Sequence, residues 1–118
     1  MDPILANQID PVNWTLLKKG IHYMAYKIYI KQPSDSSWTE LVSGTSEDGI
    51  VDSGSFKAVT GTQFYYSFGI GHEDPNANFD VSFVLTQNHV TLENGIINKK
   101  GKLDSNGVAS RNDTLIFQ

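Results

Sequence analysis

The chain has 118 residues, with a hydrophobic share of 39%, a charged share of 19%, a net charge of −4 and no cysteine. A chain of this size suits a single domain and buries roughly 65% of the surface that its unfolded form exposes, enough for a core of its own. The composition excludes a disordered or collagenous class, and the missing thiols exclude disulfides, thiolate catalysis and cysteine-based zinc sites. The acidic balance and scattered lysines argue against nucleic-acid binding by phosphate neutralisation.

In chain order, "MDPILANQID" has neither the basic start nor the apolar stretch of a secretory signal. No run approaches the ~18 apolar residues of a membrane helix, and the expected location is cytoplasmic, or outside the cell by release without a signal peptide. Pro3 and Pro11 limit residues 1–12 to a short helix at most, so an extended N-terminal arm or edge strand is expected there. Alternation then takes over. In "YMAYKIYIK", Met24, Tyr26, Ile28 and Ile30 fall on one side and Tyr23, Ala25, Lys27, Tyr29 and Lys31 on the other, the period-2 pattern of a half-buried strand. "FDVSFVLT" repeats it with Phe79, Val81, Phe83 and Leu85 inward, and only Val84 breaks the polar side. Further strands are expected at "WTLLKK", "WTELV", "SFKAVT", "QFYYSFGI", "HVTLE", "GIINKK" and "DTLIFQ". Turn formers at Ser34-Asp35, Asp48-Gly49, Thr60-Gly61, Asn94-Gly95 and Asn106-Gly107 separate them. Short strands at this spacing predict an all-β antiparallel β-sandwich, one domain over residues 1–118.

The loop "HEDPNANFD" places Asp74, Asn76, Asn78 and Asp80 at every second position. Three readings are open. The first is a plain turn, since proline presets φ and asparagine tolerates the left-handed region. The second is a calcium site built from hard oxygens. An EF-hand is excluded, because Phe79 stands where the sharp turn needs glycine and Leu85 where a bidentate glutamate closes the site. The third is one wall of a sugar site, with His72, Glu73, Asp74, Asn76, Asn78 and Asp80 bonding hydroxyls, and Tyr65, Tyr66 or Trp38 supplying an aromatic face.

The run from Ser53 to Gly101, "SGSFKAVTGTQFYYSFGIGHEDPNANFDVSFVLTQNHVTLENGIINKKG", resembles the central half of the fungal fruiting-body lectins. The shared features are a Ser-Gly opening a strand, a Phe-Gly-Ile strand end followed by a His-bearing loop, an Asp-Val pair starting the next strand and a Leu-Thr closing it. "YKIYIK" and "SSWTE" resemble upstream stretches of the same family. The resemblance implies an actinoporin-like β-sandwich that binds galactose-type and N-acetylglucosamine-type glycans without metal or cofactor. It implies sugar contacts at His72-Glu73 and Asp80-Val81 and near Asp48, Gly49 and Ile50, with Arg111 the candidate for the family's arginine. Phe83 stands where the family has a threonine.

The actinoporin side of the resemblance implies the alternative, a membrane-lipid-binding or pore-forming, cytolysin-like protein, with Trp14, Tyr23, Tyr26, Tyr29, Tyr65 and Tyr66 as a surface belt. "ILANQIDPVNWTLLKKG", however, is interrupted by Pro11 and has no sustained apolar helical face. A protein-interaction domain without a small ligand is the third class.

An enzyme is not expected. His22, His72 and His89 lack metal-ligand spacing, and there is no nucleophile elbow, phosphate-cradling loop or H-E-x-x-H. Without a leader, the Asn-x-Thr sequons at Asn13 and Asn112 are expected to be incidental. The expected function is therefore metal-independent glycan binding at Asp48, Gly49, His72, Glu73, Asp74, Asn76, Asn78, Asp80 and Arg111, in a homo-oligomer that pairs through an exposed edge such as the arm.

Overall fold

The computed structural model describes residues 3–7, 9–19, 23–46, 50–74 and 76–118. They form eight strands and no helix: β1 Val12–Lys19, β2 Tyr23–Lys31, β3 Thr39–Ser46, β4 Ile50–Phe56, β5 Gln63–Gly71, β6 Asn78–Gln87, β7 Val90–Lys102 and β8 Val108–Ile116. Strand pairing is antiparallel within two four-stranded sheets, ordered β4-β1-β6-β7 and β3-β2-β5-β8. The two pack as a β-sandwich, as the alternation predicts.

The expected inward rows of β2 and β6 are all buried, and β5 adds Phe64, Tyr66, Phe68 and Ile70. Aromatic rings stitch the layers together. Phe64 of β5 stacks on Phe56 of β4 at 5.6 Å between centroids and meets Phe83 of β6 edge-on at 6.3 Å. Tyr66 lies 4.5 Å from Phe83. Each such buried side chain contributes about 1.5–3 kcal/mol by leaving water. The sheets are also joined by a polar link: the Tyr26 hydroxyl donates to Asp52 Oδ2 at 3.1 Å. Burial, then the hydrogen bond and charge of Asp52, hold that phenol above its usual 10.0.

Two edge strands make room for large rings by omitting a side chain. Gly44 on β3 faces Tyr26, and Gly54 on β4 faces Trp14. A Cβ at Gly44 would come within 2.8 Å of the Tyr26 hydroxyl, and one at Gly54 within 2.9 Å of the Trp14 ring.

Two expectations shift. The sixth and seventh strands turn at Asn88 and His89, both with positive φ (50° and 65°), whereas Asn94-Gly95 lies within a continuous β7. There Asn94 has φ 62°, and the register slips opposite Leu85, so the pair forms a bulge instead of a hairpin. "SFKAVT" is strand only to Phe56; its remainder enters the turn closed by the Thr62 N–H on the Val59 carbonyl, with Gly61 at φ 94°. The expected turn at Asp48-Gly49 lies outside the described residues.

Within the N-terminal arm, Ile4 forms an isolated parallel bridge with Phe117 and is fully buried. Its N–H donates to the Ile116 carbonyl and its carbonyl accepts the Gln118 N–H. Gln87, also buried, ties down the chain beyond it by accepting from the Asn7 N–H and donating to the Asn7 and Asp10 carbonyls, each at 2.9 Å. The arm therefore spends pairing groups on its own chain.

Candidate functional site

The residues expected to bind sugar are distributed over several places. His72, Glu73, Asp74 and Asn76 are exposed in the β5–β6 loop. That loop is organised by its own bonds: the Asp74 N–H donates to His72 Nδ1, Asp74 Oδ1 accepts the Asn76 N–H, and the Ala77 N–H donates to the Asp74 carbonyl. Beside it lies the β7–β8 loop, where Asp104 Oδ1 accepts the N–H groups of Asn106 and Val108. The two loops meet where the His72 N–H donates to the Gly107 carbonyl at 2.9 Å. Gly107 has φ 76°, and a Cβ there would strike the His72 carbonyl oxygen, so glycine is required on both counts.

Asn78 and Asp80 are already on β6, on the outer face of the β4-β1-β6-β7 sheet. Asp80 accepts a 2.6 Å bond from Asn98 Nδ2 and lies 3.8 Å from Lys19 Nζ. Asn98 also donates to Ser82 Oγ at 2.7 Å. Arg111 belongs to β8, its guanidinium 5.1 Å above the Phe79 ring and donating to the Ser110 carbonyl. Asp48 and Gly49 lie outside the described residues. Among the described residues no group of three or more His, Asp or Glu side chains is arranged to hold a metal ion.

The three candidate aromatics separate in the same way. Tyr66 is in the core, because Phe64 and Phe68 fix the parity of β5 and put it inside. Tyr65 points outward and is joined by Trp38 and by a residue absent from the expected site, Tyr29. The sheet register sets Tyr29 beside Tyr65 and Tyr65 beside Thr114. The Tyr29 and Trp38 rings each lie 6.1 Å from that of Tyr65, and the four residues border an open concavity of about 400 Å³. Trp38 is 41% exposed.

The connection that carries Trp38 is anchored at its base. Gln32 N–H and Asp35 Oδ2 bond at 3.0 Å, as do Asp35 N–H and the Gln32 carbonyl. The Gln32 side chain donates to the Lys57 carbonyl and accepts from the Thr62 hydroxyl at 2.8 and 2.7 Å. These bonds place the indole without burying it.

The aromatic group and the His72 loop sit at opposite ends of β5. Tyr65 and His72 are seven positions apart, about 23 Å at strand rise. One sugar ring cannot touch both.

Comparison of the chain with protein-family models, with curated proteins and with solved structures finds no match, so the likeness to the fruiting-body lectins rests on the residues that carry it.

Proposed function

We propose that this protein is a non-catalytic, metal-independent glycan-binding module that holds sugar on the outer face of the β3-β2-β5-β8 sheet. The observation that supports this reading most directly is the group of three partly exposed rings, Tyr29, Trp38 and Tyr65, around one concavity. A pyranose ring has an apolar C–H face and a rim of hydroxyls. Aromatic faces take the first, and phenol, indole N–H and hydroxyl groups such as Thr114 take the second. Two apolar-bodied tyrosines on rigid strands meet that need with little ordering cost.

A glycan array read with and without a chelator tests the reading, followed by titration calorimetry on variants with the best-bound glycan. Trp38→Ala and Tyr65→Ala are expected to weaken binding about tenfold, ~1.4 kcal/mol, for the loss of a stacked ring. Asp80→Ala is expected to bind normally, since Asp80 faces the other side of the sandwich, and the chelator is expected to change nothing. An array on which the wild-type protein binds no glycan would overturn the proposal. Binding lost in Asp80→Ala and kept in Trp38→Ala would move the site to the His72–Asp80 region.

A further inference from the structure

Beyond the rings, the same sheet face continues in register. From the row of Glu40, Tyr29, Tyr65 and Thr114, the next outward row along the strands is Ser43, Lys27, Ser67 and Asn112. Same-face rows are about 7 Å apart. Every member of this row can donate a hydrogen bond, and none is a carboxylate. Lys27 is exposed and makes no ion pair among the described residues. On the wider face the charged residues of the paired strands are Lys27, Lys31 and Glu40. These three sum to +1, against −4 for the whole protein.

The next row holds Ala25, Gly69 and Ser110. Gly69 has no steric need to be glycine: a Cβ would meet only the Ala109 carbonyl oxygen, at an ordinary 3.9 Å. The pairing of β5 with both neighbours is continuous there, so no bulge accounts for it either. Concavities of about 540 and 370 Å³ extend from Lys27 and Ser43 over Ala25 and Gly69 to Tyr23.

Resting on the glycan-binding reading, we infer that the occupant is an internal stretch of a linear acidic glycan lying along the strands. One ring stacks on Tyr29, Trp38 and Tyr65, and the carboxylate or sulfate of the next is received by Lys27 with Ser67 and Asn112. The chain then passes over the low floor at Gly69. Charge complementarity selects the acid: Lys27 offers an ammonium amid neutral donors, and an anionic substituent is the group that uses all of them.

The test uses pairs of oligosaccharides that differ in their acidic group, namely oligogalacturonate against its methyl ester and a sulfated galactan fragment, which carries no carboxylate, against its desulfated form. At least one acidic member is expected to bind about threefold tighter than its neutral partner, in line with an exposed ion pair, and the advantage is expected to fade in high salt. Lys27→Gln should erase the preference and keep the residual affinity. Gly69→Val should retain the wild-type melting temperature, because a β-branched residue suits an open strand position, while reducing oligosaccharide binding to that of a single sugar.

Equal binding of both members of each pair, or a preference that survives Lys27→Gln, overturns the acidic assignment. Unchanged oligosaccharide binding in Gly69→Val overturns the path. In both cases, loss of binding in Trp38→Ala would still uphold glycan recognition at the rings. Lys27-dependent capture by phosphatidylserine vesicles without any acidic-glycan preference would also overturn the inference, and absence of all glycan binding would remove it together with the reading beneath it.

Discussion

Replacing Tyr66 with phenylalanine should make the protein more stable. The Tyr66 side chain is fully buried, and its hydroxyl has no hydrogen-bond partner among the described residues. A buried polar group left unpaired costs about 1–3 kcal/mol. Phenylalanine removes that cost and keeps the ring contacts with Phe83 and Phe68. The void left by one oxygen, about 10–15 Å³, returns only ~0.3 kcal/mol of it at ~24 cal/mol per Å³. The expected net gain is about 1 kcal/mol, a rise of about 4 °C in Tm for a chain of this length.

The pH dependence gives a second signature. Burial first, and the Asp113 carboxylate second, push the phenol from 10.0 up to about 12. The folded state therefore holds this proton more tightly than the unfolded chain does. Its contribution is whole below pH 10 and is lost as pH rises through 12. Urea titrations of both proteins from pH 7 to 11.5 should show the advantage of Tyr66→Phe widening above pH 10. A variant about 1 kcal/mol less stable than wild type at pH 7 would show that the hydroxyl makes a favourable bond and would refute the reasoning. A constant difference across the alkaline range would refute the buried phenol.

Phe83→Ala should cost about 3–5 kcal/mol by chemical denaturation, because Phe83 meets both Phe64 and Tyr66 across the layers; a cost below 1 kcal/mol would contradict the packing described. Gly107→Ala should cost about 1–3 kcal/mol through its positive φ and the approach of the His72 carbonyl. A thermal melt within 2 °C of wild type would show that the two loops are not joined in that way.

The sandwich was legible because burial on one face writes period-2 alternation into the chain, as in Met24, Tyr26, Ile28 and Ile30. Val84, the exception, faces out beside the equally outward Ile96. Turn placement was less legible. Asn94-Gly95 carries the stronger local turn signature, but asparagine's tolerance of positive φ serves a bulge as well as a hairpin. The tighter turn fell to Asn88-His89, and only the cross-strand register separates the two. The aromatic group was half legible. The parity of "QFYYSFGI" assigns Tyr66 inward and Tyr65 outward, once Phe64 and Phe68 are recognised as core. The meeting of Tyr29 with Tyr65 depends on how β2 pairs with β5, a long-range fact with no local trace. Alternating polar residues from Asp74 to Asp80 suggested one gripping surface, but the chain changes from turn to strand midway, and Asp80 leaves on a different face.

The two tryptophans divide between the protein's inside and its proposed sugar-binding face: Trp14 is 3% exposed against Gly54, and Trp38 is 41% exposed beside Tyr65. Intrinsic fluorescence then carries two separable signals without any label. The blue-edge emission of Trp14 follows unfolding, and the red-edge emission of Trp38 responds to whatever settles on the rings. A single titration in one cuvette can thus distinguish a ligand that occupies the face from one that merely perturbs the fold.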